Sequence, residues 1–175
     1  TPLHLGLIGA SEIGRLHAGN IARHLPEARI LIVADEDEAA ARKCADDCRV
    51  KFAIKEYHPI LASPAIDAVL ICAPIYLRSQ LIEEAAAAGK HIYCAAPLDF
   101  DLSKADRALA VVEQFGVKLQ IGFHRRFDAT HLRLRQLLAK GEIGKPESIH
   151  LVGREPALAA VDGRAASAGL LFDTT

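Results

Sequence analysis

Residues 3–14 read LHLGLIGASEIG, and this stretch decides the fold. The apolar run 3–8 has the composition of a buried strand and leads directly into Gly9. Gly9, Ser11 and Gly14 hold the glycine positions of a G-x-G-x-x-G pattern, with Ser11 in place of the middle glycine. In this pattern the first glycine permits a tight turn and the last lets the helix pack closely on the strand. The stretch therefore predicts a strand–turn–helix unit that binds a dinucleotide.

The turn and the start of the helix contain the candidate phosphate-binding residues, because a helix N-terminus favours negative charge. These residues are Gly9, Ser11, Glu12, Ile13 and Gly14. The middle position of the pattern is where the backbone comes closest to the pyrophosphate. The side chain of Ser11 therefore leaves two outcomes open: it weakens binding, or its hydroxyl bonds a phosphate oxygen. An ordinary tight turn between a strand and a helix is the alternative to a cofactor site.

The same alternation of apolar strands and periodic helices continues to residue 121. Predicted strands cover residues 3–8, 29–34, 50–53, 67–72, 91–94 and 117–121. Predicted helices cover residues 13–24, 38–45, 57–62 and 77–88, and a fifth is capped by Ser103 and runs through Phe115 to a stop at Gly116. Continuously apolar strands between helices indicate a parallel sheet covered on both faces. The fold class predicted is α/β, a doubly wound Rossmann sheet.

Asp35 follows the second strand about 20 residues beyond Gly14, where a carboxylate grips the ribose hydroxyls of NAD. Glu36 and Asp37 follow it, and no arginine lies nearby in the sequence to hold a 2′-phosphate, so we favour NAD over NADP. A helix N-cap is the alternative role for Asp35. Ala73 and Pro74 end the fourth strand, where they either line the cofactor cleft or simply terminate the strand.

The composition limits which binding partners and which cellular compartment we expect. The 175 residues carry 21 Lys and Arg against 22 Asp and Glu, which gives a net charge of −1. Nucleic acid and anionic membranes both select a basic surplus, so neither is expected as a partner. No apolar run is long enough for a membrane span, and the first residues do not resemble a signal peptide. We expect a cytoplasmic protein whose four cysteines are structural or incidental, with no metal site.

Two domains are predicted. Residues 1–122 form the NAD-binding Rossmann domain, and residues 123–175 begin a second, α+β domain that is incomplete. The second part shows only a helix near residues 129–140 and a strand near residues 148–153. Turn residues Gly141, Gly144 and Pro146 separate these two elements.

The chain resembles the Gfo/Idh/MocA oxidoreductases, and within them the inositol 2-dehydrogenase branch. The resemblance rests on motifs in the family's order across nearly the whole sequence: residues 6–9 (GLIG), 13–17 (IGRLH), 33–35 (VAD), 67–74 (DAVLICAP), 86–91 (AAAGKH), 97–98 (PL), 122–128 (GFHRRFD), 141–146 (GEIGKP) and 167–173 (SAGLLFD). It implies a two-domain enzyme that oxidises a ring hydroxyl of a cyclitol or sugar and passes hydride to NAD. It also implies a homo-oligomer for a full-length member.

The same resemblance locates the catalytic positions. Asp173 matches the family's aspartate, whereas Ala96 stands at the position of the family's lysine. The family's histidine falls just after Thr175, where the sequence ends. The resemblance therefore predicts impaired chemistry in this chain.

Three further positions carry side chains of interest. Arg78 stands where the family usually has histidine, and His124 where asparagine is usual. His124 and Arg126 are candidate substrate contacts, and the alternative is a solvated basic loop.

Three functions are consistent with these observations. The first is an impaired NAD-dependent dehydrogenase acting on a polyol or sugar. The second is an NAD-binding module or sensor without chemistry, which Ala96 and Ser11 favour. The third is an interaction protein that has lost the cofactor, for which Ser11 is the only direct sign.

Overall fold

The computed structural model describes residues 2–150 and 152. The chain divides into two compact units, one of which is Thr1–Gly122, while the other begins at Phe123. The first unit alternates strands and helices throughout. Its strands are β1 (Leu3–Ile8), β2 (Ala28–Ala34), β3 (Phe52–Ile54), β4 (Ala68–Ile71), β5 (His91–Ala95) and β6 (Leu119–Gly122). Its helices are α1 (Glu12–His24), α2 (Glu38–Asp47), α3 (His58–Ala62), α4 (Ile75–Ala87) and α5 (Leu102–Phe115).

The six strands form one parallel sheet in the order β3-β2-β1-β4-β5-β6. The chain starts in the middle of the sheet, winds outward to β3, and then returns to β4 on the other side of β1. The predicted doubly wound Rossmann sheet is therefore confirmed. The order reverses between β1 and β4, and ligands bind beyond the carboxyl ends of the strands at such a point.

The core lies on both faces of the sheet, which explains why the central strands are apolar at consecutive positions. All four residues of β4 are buried. Alternate side chains point to opposite faces. Leu7 and Leu70 pack in a cluster that also holds residues of α1 and α2. Ile71 belongs to a second cluster with residues of α4 and α5.

Several element ends differ from the prediction, and side-chain caps account for two of them. Asp101, not Ser103, caps α5, because the Asp101 carboxylate accepts the Ser103 N–H at 2.9 Å. Helix α1 begins at Glu12 because Ser11 is its N-cap. The third strand is shifted from residues 50–53 to 52–54, where its residues pair with the end of β2. Gly116 ends α5 in the left-handed conformation, as predicted.

The second unit contains a one-turn 3-10 helix (His124–Arg126) and the helix α6 (Ala129–Ala139). Asp128 caps α6 by accepting the N–H groups of Thr130 and His131. The predicted strand at 148–153 is wrong for the residues that are described there, since 148–150 and 152 are not in a strand. A strand needs a neighbour for its backbone hydrogen bonds, and the described part of this unit contains no other strand.

Across residues 2–150 and 152, every helix is too short or too polar to cross a lipid bilayer. The same residues include no cluster of three or more His, Cys, Asp or Glu side chains arranged to hold a metal ion. All four cysteines are free thiols.

Candidate functional site

A cavity of about 350 Å³ lies within the first unit at the carboxyl ends of the strands. Each of the first four strands contributes the residues that follow it, and α4 contributes one wall. The lining residues are Ile8, Gly9, Ala10, Ser11, Arg15, Ala34, Asp35, Glu36, Asp37, Ala40, Lys55, Tyr57, Cys72, Ala73, Pro74, Leu77, Gln80 and Leu81. The cavity therefore occupies the crevice where a doubly wound sheet binds its ligand.

The turn between β1 and α1 has no room for side chains at two glycines. Gly9 has a φ of +99°, and a Cβ there would lie 2.5 Å from the carbonyl carbon of Cys72. A Cβ on Gly14 would collide with the carbonyl oxygen of Gly9. Both positions therefore require glycine, which lets β1, α1 and the end of β4 approach one another closely.

Ser11 completes this turn as the N-cap of α1. Its hydroxyl accepts the Gly14 N–H at 3.4 Å and donates to the carbonyl oxygen of Cys72 at 3.1 Å. The hydroxyl proton is thus directed at the end of β4 rather than into the cavity. Where a glycine would make the turn more flexible, the Ser11 hydroxyl forms a hydrogen bond between the turn and the residue that follows β4.

The backbone N–H groups of Glu12 and Ile13 donate to no other group in the described part of the chain. They are the first two residues of α1, where N–H groups have no partner within the helix. These donors and the positive end of the helix dipole suit an anion. The side chains of Glu12 and Ile13 lie outside the set that lines the cavity.

Asp35 joins the end of β2 to the turn. Its carboxylate accepts the Ala10 N–H at 2.6 Å and the Asp37 N–H at 2.9 Å. The alternative role as a helix N-cap is wrong, because Asp37 caps α2 by accepting the N–H groups of Ala39 and Ala40. A carboxylate has about four acceptor sites, so Asp35 keeps capacity for hydroxyl donors from a ligand.

Ala73 and Pro74 line the cavity. The sequence left open whether these residues line a cleft or only terminate the strand. Pro74 is also the N-cap of α4, so the strand end and the cavity wall are the same residues. Behind them, Arg78 donates to the carbonyl oxygens of Ala73, Ala95 and Pro97.

Four polar side chains that line the cavity were not predicted from the sequence: Arg15, Lys55, Tyr57 and Gln80. Lys55 directly follows β3, and Tyr57 lies two residues further on. Their position just after a strand could have predicted them, because ligands bind at the carboxyl ends of the strands. The Tyr57 hydroxyl donates to Glu84 at 2.8 Å. Burial and this carboxylate raise the pKa of Tyr57 to about 12. Lys55 and Arg15 place two basic side chains at the cavity, opposite in charge to Asp35, Glu36 and Asp37.

The four remaining predicted site residues lie elsewhere. Ala96 is half-buried and directly follows β5, outside the cavity-lining set. His124 and Arg126 are exposed in the 3-10 helix of the second unit. Asp173 lies outside the described residues.

The second unit has a basic depression of its own, of about 490 Å³, lined by Arg125, Arg126, His131, Leu132 and Arg135. His131 bonds the Asp128 carboxylate at 2.7 Å, and this contact lowers the pKa of Asp128. Arg126 is thus brought together with other cations of this unit, whereas His124 is not among the lining residues.

The residues of the cavity fit a dinucleotide. The two glycines permit the tight approach of strand and helix at the turn, the start of α1 offers N–H donors without a partner among the described residues, and Asp35 supplies an acceptor at the end of β2. These are the features that bind a diphosphate and an adenosine ribose in a doubly wound sheet.

Comparisons with known proteins agree with this site. Residues 3–123 match the Gfo/Idh/MocA family model, described as an oxidoreductase family with an NAD-binding Rossmann fold. The chain is 38% identical over 168 residues to the Bacillus subtilis uncharacterized oxidoreductase YrbE, covering 96% of this chain and 49% of that protein. It is 37% identical over 175 residues to inositol 2-dehydrogenase of Rhizobium meliloti, covering 99% of this chain and 52% of that protein.

A similar solved structure is scyllo-inositol dehydrogenase from Lactobacillus casei with bound NAD(H) and scyllo-inositol. It has a TM-score of 0.78 and 29% identity, over 82% of this chain and 43% of that one. The chain spans about half the length of the curated relatives it matches. Since the family model covers residues 3–123, well over half of the sequence, the protein belongs to the Gfo/Idh/MocA oxidoreductases and its first unit is their NAD-binding Rossmann domain.

Proposed function

We propose that this chain is the cofactor-binding part of a dehydrogenase that oxidises a ring hydroxyl of a cyclitol or sugar, in the manner of a myo-inositol 2-dehydrogenase. The observation that carries the proposal is the tight glycine turn between β1 and α1, with the Asp35 carboxylate bonded to it. The relatives named for inositol dehydrogenation support the substrate class.

The binding roles follow from the geometry of the cavity. The backbone of Gly9, Ser11, Glu12, Ile13 and Gly14 receives the diphosphate at the start of α1. Asp35 accepts hydrogen bonds from the adenosine ribose hydroxyls, and Ala73 with Pro74 forms the wall at the end of β4. Asp35, Glu36 and Asp37 all line the cavity, and their negative charge disfavours a 2′-phosphate.

Held by the turn and by Asp35, NAD would supply the hydride acceptor for oxidation of a carbinol to a ketone. The hydroxyl proton must pass to a base. Ala96 has no group that accepts a proton or stabilises an alkoxide, so the alanine impairs this step. Asp173 remains as the candidate acidic residue, and His124 and Arg126 as candidate substrate contacts.

The domain assignment is part of the same proposal. Residues 1–122 bind the cofactor, and residues 123–175 begin the domain that holds the polyol and the oligomer interface. A homo-oligomer is proposed for the full-length protein by analogy with the family.

A second candidate function is favoured by Ala96 alone: a module that binds NAD without turning a substrate over. This version keeps every cofactor contact described above and needs no base at position 96. The two candidates therefore agree on binding and differ only in turnover.

Titration of NADH into the purified chain, followed by cofactor fluorescence, tests the shared part. We expect saturable binding at micromolar to millimolar cofactor. A flat titration up to millimolar NADH would exclude both functions and leave an interaction protein.

Turnover of myo-inositol with NAD separates the two candidates. In the complete natural protein that contains these residues, we expect trace activity from the wild type and a gain of about 10²-fold from Ala96→Lys, the size typical of a restored catalytic donor. Ala96→Met is the matched control, since it adds similar bulk without the charge. Robust turnover by the wild type would refute the impairment, and equal rates for Ala96→Lys and Ala96→Met would favour the module.

A further inference from the structure

Arg78 ties together the ends of two neighbouring strands. It lies in the first turns of α4, and its Nε donates to the Ala73 carbonyl at 2.9 Å. Its Nη1 donates to the carbonyl oxygens of Ala95 at 3.1 Å and Pro97 at 2.7 Å. Ala73 follows β4, while Ala95 ends β5. The guanidinium therefore fixes the carboxyl ends of both strands, and Nη2 donates to no other described residue.

The charge of this guanidinium is not neutralised by any carboxylate in the described part of the chain. Its acceptors are all backbone carbonyls, and the three ion pairs found there do not include it. The acid in the adjoining loop, Asp99, is instead bonded to the Ser79 hydroxyl at 2.6 Å. Because an arginine stays protonated throughout the physiological range, Arg78 is a permanent, partly exposed cation.

The field of Arg78 reaches the strand ends on the cavity side. Burial raises the pKa of the Cys72 and Cys94 thiols to about 12, and the Arg78 charge opposes this shift at both residues. Cys72 itself lines the cavity. Arg78 is not among the residues that line the cavity, so its charge would act on a ligand there through the ends of β4 and β5.

The position of Arg78 in the sheet identifies which part of a dinucleotide lies nearest to it. A doubly wound sheet consists of two mononucleotide-binding halves. Asp35 marks β1–β3 as the adenosine half in the proposed function, on which this inference rests. The half formed by β4–β6, which Arg78 braces, is then left for the nicotinamide nucleotide.

The nicotinamide ring carries a positive charge in NAD and none in NADH. A fixed cation in that half raises the free energy of the oxidised form and leaves the ring of the reduced form unaffected. We propose that Arg78 biases this cleft toward the reduced cofactor, so that the chain binds NADH more tightly than NAD. By linkage, NADH is then harder to oxidise when it is bound to the protein than when it is free in solution.

The test is the ratio of dissociation constants, Kd for NAD over Kd for NADH, measured by calorimetry in wild type, Arg78→Gln and Arg78→Lys. We expect Arg78→Gln to lower this ratio about fivefold, the effect of one unit charge at a partly solvated site. Arg78→Lys keeps the charge but not the three-carbonyl geometry, so it should preserve the ratio even if both constants rise. A role confined to holding the loops would weaken both cofactors equally in Arg78→Gln and would overturn the proposal.

ADP-ribose is the control ligand, because it lacks the nicotinamide ring. If the proposal is correct, Arg78→Gln raises the affinity for NAD relative to the affinity for ADP-ribose.

A second measurement needs no variant: raising the salt from about 20 mM to about 500 mM should lower the wild-type ratio of the two dissociation constants, since salt screens partly exposed charges. A ratio that does not respond to salt would contradict the proposal, even if Arg78→Gln failed to fold. If the wild type binds neither cofactor, the proposed function itself is wrong. If both cofactors bind but Arg78→Gln has the same ratio of dissociation constants as the wild type, only this inference is wrong.

Discussion

The carboxylate of Asp35 accepts the backbone N–H of Ala10 at 2.6 Å, across 25 positions of sequence. This bond links the end of β2 to the turn that follows β1. The two parts of the proposed adenosine site are therefore held together without a ligand. Hydrogen bonds to a charged acceptor contribute about 1.5–3 kcal/mol, more than a neutral pair.

Replacing Asp35 by alanine should consequently affect both the turn and the ligand. We expect Asp35→Ala to weaken NADH binding about tenfold or more and to lower the free energy of unfolding by about 2 kcal/mol. The control is Asp101→Ala, which removes the N-cap of α5 far along the chain and should cost about 1 kcal/mol without changing NADH affinity. Calorimetry and urea unfolding measure the two effects. Equal NADH affinity in Asp35→Ala and wild type would remove Asp35 from the site.

Gly14→Ala tests the close approach of α1 to the turn. The new Cβ would collide with the Gly9 carbonyl oxygen, so the helix must shift, at a cost of about 1–3 kcal/mol. We expect a lower midpoint in urea and at least about tenfold weaker NADH binding, because the displaced helix carries the phosphate donors.

The matched control is Gly19→Ala in the same helix. There the nearest atom to a new Cβ is Nη2 of Arg23 at 3.4 Å, the end of a flexible side chain. Alanine has the higher helix propensity, so Gly19→Ala should stabilise the protein by up to about 1 kcal/mol. If both variants behaved alike in unfolding and in NADH titration, the turn would not be the sensitive point.

Ser11→Gly restores the middle glycine of the pattern and removes a side chain from the point of closest approach. Glycine is a tolerable N-cap, so the stability cost should be a few tenths of a kcal/mol. Ser11→Ala loses the cap and should cost about 1 kcal/mol while keeping a Cβ in place. We expect tighter NADH binding in Ser11→Gly than in Ser11→Ala. The opposite order would mean that the hydroxyl turns toward the phosphate when the ligand binds.

The cysteines predict a pH dependence of stability. Burial raises the pKa of Cys72 and Cys94 from 9.0 to about 12, and that of Cys44 to about 11. The folded chain thus binds protons that the unfolded chain has released above pH 9. Stability supplied by these thiols is present below pH 9 and is lost as the pH rises toward 12. Urea unfolding at a series of pH values should show this fall.

Thiol labelling checks the same burial directly. At pH 8 the folded protein should react with a disulfide reagent mainly at Cys48, which is half-buried, while the three buried thiols react much more slowly. All four of the chain's cysteines should react in denaturant. Rapid labelling of Cys72 or Cys94 in the folded protein would contradict their placement in the core.

Local patterns gave the correct account of the sheet. The apolar runs at β1, β2, β4 and β5 were found within a residue or two, because strands buried on both faces are apolar at consecutive positions. The strand predicted at 148–153 is absent from the residues described there, 148–150 and 152. An apolar run forms a strand only where a neighbouring strand can accept and donate its backbone hydrogen bonds. The choice between Ser103 and Asp101 as the cap of α5 also escaped the sequence, because both residue types cap helices.

The sequence by itself determined the glycine turn, the alternation of strands and helices, and the presence of a carboxylate at the end of β2. These features depend on backbone conformation and burial within consecutive residues. Only the tertiary structure decided that Asp35 reaches Ala10, that Lys55 and Tyr57 enter the same cavity, and that Arg78 joins β4 to β5. Those contacts depend on which strands become neighbours in the sheet, and hydrogen bonds between residues distant in sequence set that order.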